Sequence, residues 1–140
     1  MSTVLWANYL EDGKVVSDES DKYAIYKHAK KLDAIAKKLA LSSFIDMQDT
    51  TDYEFNVTDK ALPPGMESTD ELMARDGIWV EAQSAIDLLN RLIEEIEAKK
   101  IRFGILSDAR SDVVAELKDS LTFAQKAQSR AAKFNFSVVM

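Results

Sequence analysis

Residues 134–139, Phe134-Asn135-Phe136-Ser137-Val138-Val139, set bulky apolar side chains against small polar ones almost to the last residue. Alternation with period two reads as a half-buried strand. A terminal strand needs a partner, and the opposite end of the chain supplies one. Residues 3–10 are rich in β-branched, aromatic and aliphatic types, and Asp12-Gly13 followed by Val15-Val16 comes directly after them. An Asp-Gly pair accommodates the positive φ angles of a two-residue hairpin turn. The N-terminal hairpin and the C-terminal strand therefore predict a small, mainly antiparallel sheet. The alternative is a three-helix bundle with extended ends.

Three helices are expected between these ends. Ile25, Ala29, Leu32, Ala36 and Leu39 recur with spacing 4-3-4-3, placing a first helix over 20–40, capped by Ser20 or Asp18. An irregular acidic segment over 44–57 follows. Residues 58–68 contain Pro63-Pro64-Gly65 and read as a flexible surface loop. Ser68-x-x-Glu71 has the form of a capping box. It opens a second helix whose stripe is Trp79, Ala82, Ile86, Leu89, Ile93 and Ile96, with a start or kink at Gly77. Ile101, Phe103 and Ile105 alternate with Arg102 and Gly104, which reads as a strand over 101–106. Ser107 or Ser111 then caps a third helix with the stripe Val114, Leu117, Leu121, Ala124 and Ala131. The predicted fold is α+β, with three helices packed on one face of the sheet.

The chain has 140 residues, 24 acidic and 18 basic side chains, one histidine and no cysteine. This length suits a single globular domain over 1–140. Lack of cysteine excludes disulfides, thiolate zinc sites and thiol nucleophiles together. With four glycines, at 13, 65, 77 and 104, neither a dinucleotide fingerprint nor a phosphate-binding P-loop can be assembled. No serine lies in a G-x-S-x-G elbow, and Glu94, Glu95 and Glu97 lack the E-x-x-H repeat of a di-iron bundle. No cofactor is expected. A signal peptide would need a basic start and a longer apolar run, so a cytoplasmic location without membrane attachment is expected.

The net charge of −6 is the remainder of larger opposing blocks. Six lysines set against Asp33 give residues 22–38 a net +5, between acidic blocks of −4 over 11–21 and −5 over 46–59. At 100° per residue the lysines of the first helix fall opposite its apolar stripe. Tyr23, Tyr26, Lys27, Lys30, Lys31 and Lys38 form a candidate interaction surface there. Phe123 projects away from the stripe of its own helix and is a further candidate, with a second contact inside the chain as the favoured reading and an exposed interface aromatic as the other.

Two chemical readings compete with a binding surface. Asp46, Asp49, Asp52 and Glu54 place four carboxylates in nine residues, an oxygen-rich set that suits Mg²⁺ or Ca²⁺ without matching an EF-hand loop. Asp and Thr are also the ordinary residues of turns and caps, and that bland reading is favoured. His28 lies at the margin of the apolar arc, where a general base is one reading and a boundary packing residue the favoured one.

The leading expectation is a non-enzymatic protein-binding module of adaptor, inhibitor or immunity type. Its partner is an unidentified protein, and a homodimer joining lysine face to acidic segment is a further option. The alternatives are a divalent-metal enzyme using 46–54, with 58–68 as its lid, and nucleic-acid binding through the lysine face. The acidic pI of 4.8 disfavours the last, because the summed field repels phosphate.

Overall fold

The computed structural model describes residues 2–140. Asp12 and Gly13 take φ values of 53° and 73°, the left-handed pair that lets two strands close with matching twist. Strand β1 (Val4–Glu11) thus returns as β2 (Lys14–Ser17), with Glu11 opposite Lys14. Strand β4 (Lys133–Val139) runs antiparallel along the other edge of β1, from Val4 opposite Val139 to Leu10 opposite Lys133. A two-residue strand, β3 (Gln48–Asp49), adds to β4 in parallel, giving the order β2-β1-β4-β3. The α+β class and the pairing of the two chain ends are as the sequence predicts.

Among the described residues six α-helices accompany this sheet, rather than three: α1 (Tyr23–Lys27), α2 (Ala29–Lys38), α3 (Thr51–Thr58), α4 (Thr69–Asp76), α5 (Ala82–Lys99) and α6 (Arg110–Ser129). The pleat sends successive side chains of β1 and β4 to opposite faces. Leu5, Ala7, Tyr9, Phe134, Phe136 and Val138 face one way and share one core with Ile25, Leu32, Leu89, Leu92, Ile96 and Leu117. Each large aliphatic side chain sealed there contributes about 1.5–3 kcal/mol relative to exposure.

The other face carries Trp6, Asn8, Asn135 and Ser137, and α3 and α4 lie over it. Asn8 Nδ2 donates to Asn135 Oδ1 at 2.9 Å and to Ser137 Oγ at 3.0 Å, while Asn135 Nδ2 donates to the Ile78 carbonyl at 2.8 Å. A one-residue slip would turn these amides into the apolar core, so the network fixes the register. Helices thus cover both faces, not one.

The expected first helix is interrupted at His28, whose backbone (φ −104°, ψ 20°) departs from helical geometry. Neither Ser20 nor Asp18 caps it. The Glu116 carboxylate reaches from α6 and accepts the N–H groups of Ile25 (3.0 Å) and Ala24 (3.3 Å). Lys22, 1% exposed, is held by the Asp18 carboxylate and the Ser20 carbonyl.

The expected second helix is two helices. Ser68 caps α4 as predicted, its hydroxyl accepting the Glu71 N–H at 3.2 Å. Residues 77–81 then leave the helical path, because Val80 exchanges two 2.9 Å backbone hydrogen bonds with Phe134 and the Ile78 N–H goes to Asp49. Trp79 consequently lies in this connection, half-buried, with its indole N–H on the Met73 carbonyl at 3.0 Å.

Three further expectations are corrected. Residues 51–58 form α3, not an irregular segment. Residues 101–106 form a loop and not a strand. Helix α6 follows Asp108, which accepts the Arg110 N–H at 3.0 Å, and Ala131 lies beyond the helix with φ 54°. Among the described residues, no helix is long and apolar enough to cross a membrane.

Candidate functional site

The loop between α5 and α6 is the most unusual surface of the molecule. Phe103 is fully buried and anchors it. Gly104 has φ +109°, and a Cβ there would lie 2.4 Å from the Ser107 carbonyl oxygen, so the bend requires glycine. The Arg102 guanidinium braces the bend by donating to the carbonyls of Gly104 (2.9 Å) and Ile105 (3.0 Å). Asp108 closes it from the other side, accepting the Phe103 N–H at 2.9 Å, and the Ala109 N–H donates to the Phe103 carbonyl at 2.8 Å. The Phe103 hydrogen bond above all, then Arg110 and Arg102, holds the Asp108 carboxyl below its ordinary range. The braced loop displays Ile105 and Leu106 at 93% and 99% exposure.

The predicted lysine face adjoins this apolar tip. A shallow groove of about 600 Å³ joins Lys27 and His28 to Phe103, Ile105 and Leu106. The Lys31 ammonium donates to the Arg102 carbonyl and lies 5.2 Å from the Phe103 ring centre. Lys27 stands 6.0 Å over the ring of Tyr23, which is itself exposed. Among the described residues, Lys27, Lys30, Lys31 and Lys38 form no ion pair, whereas Lys22 and Lys37 are neutralised by Asp18 and Asp33. The surface is therefore an apolar tip beside two cations that form no ion pair, Lys27 and Lys31, with Lys30 next to them in sequence.

Several predicted residues stand elsewhere. Tyr26 is half-buried against the core. Phe123 is turned inward, its ring 5.2 Å from Tyr9 and covered by Lys126, so it does not belong to the surface. His28 meets Phe103 edge-on at 5.5 Å. Burial, and then the charges of Lys27 and Lys31, lower its pKa, which keeps the ring neutral near pH 7.

The four carboxylates of 46–54 are not brought together. Asp46 and Glu54 are exposed, and Glu54 accepts the Thr50 hydroxyl at 3.1 Å. Asp49 is buried and structural, accepting the N–H groups of Thr51 (2.9 Å) and Ile78 (2.8 Å). Asp52 ties α3 to α4 by accepting the Thr69 hydroxyl at 2.8 Å. Among the described residues, no three His, Cys, Asp or Glu side chains are arranged to hold a metal ion. The four acids therefore stand apart: Asp49, Asp52 and Glu54 each have a different local partner, and Asp46 faces solvent.

Ile105 and Leu106 are what the sequence reading misses, since alternation assigns Ile105 to a strand. The signal is present: two adjacent large aliphatics between a glycine and Ser107-Asp108. No protein family, curated protein or solved structure matches the chain.

Proposed function

We propose that the chain is a non-enzymatic protein-binding module that docks through Ile105 and Leu106, with Tyr23, Lys27, Lys30 and Lys31 beside them. The partner this surface fits is a protein with an apolar pocket rimmed by carboxylates. The carrying observation is the near-complete exposure of two adjacent aliphatic side chains on a loop braced from within. Displaying each of them forgoes about 1.5–3 kcal/mol of burial. A partner pocket recovers that, and a rigid loop lowers the ordering cost of binding. The lysines add electrostatic steering towards an acidic rim, an effect that weakens with salt.

The test is affinity capture from extracts of the source cell with the native chain, I105S/L106S and K27E/K30E, at low and high salt. The expected result is one protein, identified by mass spectrometry, whose capture is lost with I105S/L106S and reduced by K27E/K30E or by salt. Deuterium exchange of the purified complex should then protect residues 23–38 and 102–109. Capture indifferent to both variants, recovery of nucleic acid, or tip-dependent self-association would each overturn the reading.

A further inference from the structure

The second face of the sheet holds a cleft of about 290 Å³, separate from the docking surface. It lies between the strand pair β1–β4 and helices α3 and α4. Asn8 and Ser137 form its floor at 1% and 3% exposure, Asp52 and Thr69 its wall, and Trp6 and Asp70 its mouth. Small-molecule sites begin at about this volume.

The floor is incompletely satisfied. The Asn8 amide donates to Asn135 and Ser137, but among the described residues no donor reaches its carbonyl oxygen. That oxygen is not sealed in the interior, and the space Asn8 borders is this cleft. The charge is also uncompensated, because among the described residues neither Asp52 nor Asp70 has a cationic partner. Partial enclosure by the cleft, then repulsion from Asp52 and Glu19, raises the pKa of Asp70, which otherwise faces solvent.

We propose that this cleft binds a small organic cation, a primary ammonium or guanidinium carried on a compact apolar body. Asp70 serves as counter-ion, and Asp52 and the Asn8 carbonyl oxygen are the other acceptors. A primary ammonium has three N–H donors, and these groups provide three acceptors. Trp6 lines the same cleft, and an aromatic ring is a favourable neighbour for a cation. Two carboxylates and a neutral amide suit one positive charge better than a divalent metal ion, which takes six to eight oxygen ligands as Ca²⁺ and near-ideal octahedral geometry as Mg²⁺.

The experiment is an NMR titration of the full chain with benzylamine, with benzyl alcohol as the neutral counterpart and a capped Gly-Gly-Arg-Gly-Gly peptide. Benzylamine is expected to shift the Asn8 side-chain amide and the Trp6 indole saturably. D70N and D52N should each weaken it tenfold or more, while D76N leaves it unchanged. Binding by the peptide alone would overturn the small-cation reading in favour of an arginine of a polypeptide. Absence of saturable shifts with either cation, equal response to benzyl alcohol, or full affinity in D70N would overturn the proposal. Asp70 is exposed at the start of α4, so D70N is expected to fold, and its melting curve checks that.

Discussion

Phe103 and the pair Ile105–Leu106 are neighbours in sequence with opposite fates, and their substitution separates anchoring from display. Phe103 is fully buried, and truncating a buried phenylalanine to alanine costs about 3–5 kcal/mol through lost transfer energy and the cavity left behind. Ile105 and Leu106 retain 93% and 99% of their exposure, so I105S/L106S removes almost no buried surface. Its expected change in stability is within about 0.5 kcal/mol, as for surface positions generally. Urea unfolding followed by far-UV circular dichroism reads both values. With a slope of about 2 kcal/mol per molar urea, F103A moves the midpoint down by ~1.5–2.5 M while I105S/L106S leaves it in place. A loss above about 1 kcal/mol in I105S/L106S would mean that the tip packs within its own chain and is not displayed for a partner. A loss below about 1 kcal/mol in F103A would mean that the loop is not anchored as described.

Acid stability should depend on Asp33. Burial alone would raise its carboxyl pKa, but the Ser43 hydroxyl, the Ile45 and Phe44 N–H groups and Lys37 together hold it below 3.8. Such a group stabilises the fold above its unfolded pKa, and that share is lost as pH falls from about 4 through the folded value. D33N should therefore be less stable at pH 7 and show a flatter acid limb in urea melts from pH 2 to 7. Glu116 has the opposite sign, since burial raises its carboxyl above 4.5 despite the Ile25 and Ala24 N–H groups. Its stabilising share is present below 4.5 and lost as pH rises through the folded value, so the stability of wild type relative to E116Q should decline from pH 4 to pH 7. Removing both N–H acceptors in E116A should cost about 1 kcal/mol, the scale of a lost helix cap. Because the acids of 46–54 diverge, EDTA, Mg²⁺, Ca²⁺ and Mn²⁺ should all leave the thermal midpoint unchanged; a rise with any ion would restore a metal site by linkage.

The parts of the fold legible in the sequence are those governed by local chemistry or strong periodicity. Asp12-Gly13 specifies its own turn, Ser68 its own cap, and the run Ala82–Ile96 its own stripe. The missed elements are decided by distant groups. Trp79 continues the helical spacing perfectly well, yet Val80 is drawn into pairing with Phe134, more than fifty positions away, and the helix yields. Helix α3 buries no side chain fully, so it has no strong stripe to detect. Ile101, Phe103 and Ile105 alternate like a strand, but the arginine between them satisfies the carbonyls that a neighbouring strand would need. The lysine face was legible because charge periodicity survives folding. The apolar tip beside it was not, since exposure of two aliphatics follows from the left-handed Gly104 and the Arg102 brace together.

If the proposed docking is right, Leu106 enters a partner's pocket. A photo-crosslinking amino acid at position 106, compared with one at the exposed Asp59, tests it directly in the living source cell. Position 106 is expected to give a discrete protein adduct, suppressed by K27E/K30E, and position 59 none. The same adducts from both positions, or none from either, would contradict it.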